Sequence, residues 1–110
     1  MTKFSYTVYQ PSGEMQRGLV EWPEEPGYTK IAALIEPIVG GPIEHVTVLH
    51  NSKRADMFVD EMGHMRTGGP KPLNEAATRI YYAASRARGD EPGDHYIAGP
   101  AVLFDEEVWR

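Results

Sequence analysis

Asp60 and Glu61 stand side by side in VDEMGH, and His64 follows close behind. Two carboxylates and an imidazole are the residue types of an acid/base pair or of a metal site. Neighbours in an extended strand point to opposite faces, however, so the two acids share a site only if the strand has already ended. The more economical reading pairs one acid with Lys71 or lets it cap the following turn. Next comes RTGGPKPLN, which sets Arg66, Thr67, Gly68, Gly69 and Lys71 ahead of Asn74 and the start of a helix. A basic Gly-rich loop feeding a helix N-terminus offers unpaired backbone N–H groups and positive charge, which together attract anions. It is not a P-loop, because Lys71 lacks the following Ser or Thr and sits after Pro70, which donates no N–H. The competing reading is a solvated loop whose glycines and prolines merely turn the chain.

Other chemistry is weakly represented. His45, His50, His64 and His95 show no zinc spacing, and without cysteine no thiolate can complete a site. No metal or cofactor is expected. Ser5, Ser12, Ser52 and Ser85 lie in no nucleophile-elbow context. The outer side of the second helix carries Arg79, Tyr82, Arg86 and Arg88, a face that either stacks on a partner's groups or is simply solvated.

The elements that would position these residues follow from periodicity. Residues 3–9 alternate Phe4, Tyr6 and Val8 with polar neighbours, as in a half-buried strand, and Gln16–Trp22 returns antiparallel after a Pro-Ser-Gly turn. Ile31, Leu34, Ile35 and Ile38 then fall on one face of a helix over 29–38, with Thr29 as N-cap and Gly40-Gly41 as the stop. A second hairpin runs from 43–50 through 51–54 into Met57, Phe58 and Val59. A second helix over 74–88 has Asn74 as N-cap and a stripe of Ala77, Ile80, Tyr81 and Ala84. The last strand, 96–104, contains Gly99-Pro100, which implies an edge position or a bulge. The fold class is therefore α+β: a five-stranded antiparallel-rich sheet in the order ββαββαβ, with two helices packed on one face.

At 110 residues, with 41% hydrophobic and 25% charged residues, the chain suits one domain, 1–110, whose acidic end 105–110 reads as frayed or as a docking tail anchored by Trp109. Its net charge of −5 argues against non-selective binding to nucleic acid. The charge is uneven: residues 52–88 hold seven basic against four acidic residues, a balance of +3, which leaves −8 elsewhere. No apolar run is long enough to span a membrane, and no signal peptide is evident, which points to the cytoplasm.

Several short pieces together resemble one of the domains of unknown function found in small phage, plasmid and bacterial proteins. They are Val39-Gly40-Gly41 with Ile43-Glu44, Val59-Asp60-Glu61 with Gly63, Asn74 with Ala77-Thr78, and Ile97 with Gly99-Pro100. The resemblance brings no activity with it, and the loop MRTGGPKP and the link RARGDEPGDH expand on the usual pattern. The reading that follows is a non-enzymatic binding protein of mobile-element type. Its candidate ligand-binding set is Asp60, Glu61, Arg66, Thr67, Gly68, Gly69, Lys71, Asn74 and Thr78, and its ligand an anionic small molecule such as a nucleotide-like signal, or a host protein. The alternative is an oligomeric regulatory module without a ligand. Exposed sheet edges and Trp109 imply a homodimer in either case.

Overall fold

The computed structural model describes residues 1–64 and 71–109. Among these, five strands and two helices follow one another as β1 (Thr2–Tyr9), β2 (Met15–Trp22), α1 (Gly27–Val39), β3 (Ile43–His50), β4 (Lys53–Asp60), α2 (Glu75–Ala87) and β5 (Ala101–Phe104). The strands form one sheet in the order β2-β1-β5-β4-β3, with antiparallel neighbours throughout. The expected α+β class and the order ββαββαβ hold.

Two details of the expected arrangement change. The last strand is central, between β1 and β4, and it is short: Pro100 precedes its first residue, where a missing N–H costs no ladder bond. Gly99, at φ +83, makes the bend that delivers the chain to this position. The helices, moreover, lie on opposite faces. Phe4, Val8, Phe58, Val102 and Phe104 pack with Ile31, Ile35 and Val39 of α1, whereas Val48, Met57, Val59, Ala101 and Leu103 pack with Ala77 and Ala84 of α2. Strand side chains alternate between faces, so consecutive apolar residues such as Met57-Phe58-Val59 serve both cores at once.

The connections explain the layering. β2 and β3 are the two outer strands, so α1 must cross one whole face to join them. It starts two residues before Thr29, from Pro26 and with no side-chain cap, and it ends at Gly40 in the left-handed region (φ +88), whose N–H bonds Glu36 O at 2.7 Å. α2 follows β4 and covers the β3–β4 half of the other face. The β3–β4 hairpin closes through Asn51 and Ser52, both at positive φ, a two-residue turn whose twist matches that of the strands.

The α2 stripe is less deeply buried than its spacing implies, since Ile80 and Tyr81 are only half-buried. Ile80→Ala is accordingly expected to cost about 1–2 kcal/mol in a urea melt, below the range for a fully enclosed isoleucine.

The C-terminal segment, whose composition reads as frayed, is held in place. Val108 is 1% exposed within the α1-side core. Its N–H and that of Trp109 both donate to Asp56 Oδ2 at 2.7 Å.

Candidate functional site

The junction between β4 and α2 is built from residues that sequence reading singled out, and their polar atoms are turned inward. Asp60 is buried, its Oδ2 lies 2.7 Å from Lys71 Nζ, and its Oδ1 accepts the Met62 N–H at 2.9 Å. Lys71 Nζ also donates to Val39 O at 2.5 Å, so it places positive charge at the carbonyl end of α1. Glu61, in the turn just past the end of β4, is exposed. Asn74 is fully buried: Oδ1 accepts from Ala77 N at 3.1 Å, and Nδ2 donates to Tyr9 O at 2.8 Å and Gly99 O at 2.9 Å. Thr78 Oγ1 accepts the Ile97 N–H at 2.9 Å.

Backbone bonds complete the joint. Gly63 O accepts from Lys71 N, Ile97 O from Asn74 N, and Pro72 O from Gly99 N, each at 2.8 Å. A Cβ at Gly63 would come within 2.8 Å of Ala98 O, so this close approach requires glycine. Asp60, Gly63, Asn74 and Gly99 therefore meet where four chain segments are tied together. Lys71, Asn74 and Thr78 direct these bonds to the protein itself. Arg66, Thr67, Gly68 and Gly69 lie outside the described residues. His64 turns to Tyr96 O (2.6 Å) and stacks near His95. Among the described residues no three His, Asp or Glu groups gather as a metal site.

A second polar centre lies across the sheet edge. His45 Nε2 is 2.5 Å from Asp56 Oδ1, a diagonal cross-strand pair between β3 and β4. Trp109 stacks on the His45 ring at 5.2 Å and 15°, and meets Tyr28 edge-on at 5.8 Å. Asp56 thus accepts from the two tail amides while facing His45, and the indole closes over the pair.

A hollow runs along β3, the outer strand beside α2. It holds about 530 Å³ and is lined by His45 to Leu49, Arg54, Ala84, Ala87 and Arg88. The strand's hydrogen-bonding direction follows from Pro42 O, which accepts from Glu61 N at 2.8 Å one residue before the ladder begins. Even-numbered residues therefore bond to β4, and the main chain of Ile43, His45, Thr47 and Leu49 faces outward. Of these outward groups, Thr47 O is met by Arg88 Nη1 at 3.3 Å. The remaining contacts of Arg88 are equally long, 3.3 Å to Asp90 and 3.5 Å to Ser85 Oγ. A smaller hollow of about 390 Å³, between Tyr82 and Tyr96, mixes Glu75 and Asp94 with Arg79. Arg86 lies over the Tyr82 ring at 5.7 Å.

Sequence reading placed Arg88 on an exposed cationic face but did not connect it with β3. The available signal was a β-branched strand, Val46-Thr47-Val48, followed across the hairpin turn by Lys53-Arg54 in an otherwise acidic chain.

On the sheet face that α2 leaves open, Arg17 forms a two-pronged pair with Asp105 (3.0 and 2.9 Å) and donates to Thr7 Oγ1 at 2.6 Å. The hydrogen bonds from Arg17 hold the Asp105 carboxyl below the ordinary aspartate range, against a smaller opposing effect of burial. A lowered folded-state value means that this stabilisation is present above the unfolded value and disappears as pH falls through the folded one. Stability is expected to drop as pH falls below about 4, with a shallower drop in Asp105→Asn, as read from acid titrations of urea midpoints. The pair is partly exposed, so the difference is small.

No described helix is long and apolar enough to cross a membrane. Comparison of the chain with family models, curated proteins and solved structures finds no match.

Proposed function

We propose that this protein is a non-catalytic binding protein for an anionic partner, and that the partner sits in the groove along the outer edge of β3, which reaches from the C-terminal half of α2 to Arg54. The observation that carries this reading is the placement of Arg54 and Arg88 in a 530 Å³ hollow on an outer strand of a chain whose net charge is −5. A local cationic groove on an acidic protein attracts anions selectively, because the remaining surface repels them. The loop before α2 supports the reading less well in its described part, where a buried Asp60 matches the Lys71 charge at 2.7 Å, whereas the pair of Arg88 with Asp90 is exposed and longer, 3.3 Å. The resemblance to phage and plasmid domains makes a host protein a natural anionic partner.

Thermal melts with phosphate, sulfate and nucleoside phosphates test the proposal. An anion at 100 times its dissociation constant is expected to stabilise the fold by about 2.7 kcal/mol, an effect that weakens with salt. Arg54→Gln with Arg88→Gln should remove the gain. If the response survives that double change but is lost in Arg66→Gln, the site lies in the loop before α2; no response to any anion or acidic peptide refutes an anionic partner altogether.

A second reading, self-association, is favoured by Met15 and Leu19, 64% and 58% exposed on the face of β1 and β2 that α2 does not cover. Of the features expected to drive it, the first hairpin does leave an outer edge at β2, whereas Gly99-Pro100 leads into the central strand and Trp109 stacks within its own chain. Sedimentation that shows a dimer in the wild type and a 12.3 kDa monomer in Leu19→Lys would support this reading.

A further inference from the structure

Building on the proposed anionic groove, we infer that its occupant is an extended acidic peptide segment that pairs with β3 as a sixth strand. An outer strand of eight residues with outward N–H and C=O groups at Ile43, His45, Thr47 and Leu49 is a template for another strand. These main-chain groups give an occupant length and direction, which a small anion would not use. At Thr47 the position is partly filled by Arg88, whose three contacts of 3.3–3.5 Å are at the long limit for hydrogen bonds and are readily exchanged. An arriving strand takes over Thr47 O with a backbone N–H and supplies a carboxylate for the displaced guanidinium, a stronger charge-assisted pairing.

The flanking charges select the sequence of that strand. Leu49 pairs with Arg54 in the sheet register, which puts Arg54 on the α1 face, whereas Arg88 extends from α2 on the other face. Successive residues of an added strand point to opposite faces, so acids at neighbouring positions would each meet one arginine. Pairing of two copies of β3 would instead bring both Arg88 side chains toward the same seam, between chains of like net charge. Charge thus favours a foreign acidic segment over a second copy.

The test uses the full chain and a fluorescent peptide of alternating valines with paired glutamates, read by anisotropy. Binding is expected to weaken at least tenfold when alternate peptide amides, those facing β3, are N-methylated, which removes edge donors and leaves the charge intact. Thr47→Pro should cause a similar loss, because it deletes an outward N–H and spares the β4 ladder. Equal affinity for the methylated peptide overturns strand pairing while the anionic groove stands. No peptide binding, with small anions still stabilising the fold, has the same meaning. Failure of peptide and small anions together removes both proposals. A dimer of the free protein that Thr47→Pro dissociates would assign the edge to a second copy and also overturn the inference.

Discussion

Asn74→Ala is expected to lower unfolding stability by about 3–5 kcal/mol, a large fraction of what a small domain possesses. The substitution removes the α2 cap at Ala77 N and deprives Tyr9 O and Gly99 O of their donor within a fully enclosed site. Loss of a cap alone costs about 1 kcal/mol, so the carbonyls carry most of the effect. Asn74→Asp separates the two contributions. It retains an oxygen for Ala77 N but sets an acceptor against two carbonyls, and it should be about as harmful as alanine. Urea titrations that showed Asn74→Asp near wild-type stability would mean that Asn74 acts only as a cap.

Asp56→Ala is expected to cost about 3–4 kcal/mol and to free the C-terminal segment. Its carboxylate accepts two tail N–H groups at 2.7 Å and faces His45, and bonds to a buried charged group are stronger than neutral ones. Loss of the anchor should uncover Trp109, whereas Trp22, 7% exposed, stays in the core. Tryptophan emission should then shift to the red and become more quenchable by acrylamide, before any global unfolding. A variant with lowered stability but unchanged emission would show that the tail is held by Val108 and by the stack on His45 instead.

Much of the architecture is legible in the chain because its local signals are strong. Period-2 alternation marks β1, the i, i+3, i+4 spacing marks α1, and Asn74 before an apolar stripe marks the start of α2. The arrangement of layers is less so. Two helices after two hairpins fit one covered face as readily as two, and only the unbroken runs Met57-Phe58-Val59 and Ala101-Val102-Leu103-Phe104 carry the distinguishing signal, since a strand apolar at every position is enclosed from both sides. Those runs also locate the centre of the sheet, which the neighbouring Gly-Pro obscures. In the candidate site, residue types such as Asp60 and Lys71 are visible in sequence. Whether a charge faces a ligand or a neighbouring carboxylate depends on tertiary distance. The pairing of Arg88 with the outer face of β3 arises from packing between elements 41 residues apart.

The central position of the last strand has a consequence for how the protein is made. During translation both hairpins and α1 emerge before β5, so the inward-facing edges of β1 and β4 wait without their common neighbour. The pairings Tyr6↔Phe104 and Thr7↔Leu103 span almost the whole chain, and such distant contacts form slowly. At elongation rates of about 5–20 residues per second the waiting period is about 5–19 s for β1 and about 2–9 s for β4, long enough for apolar edges to find other chains. Changes that weaken β5 should therefore reduce the yield of correctly assembled protein from synthesis more than they reduce the stability of molecules that have already folded.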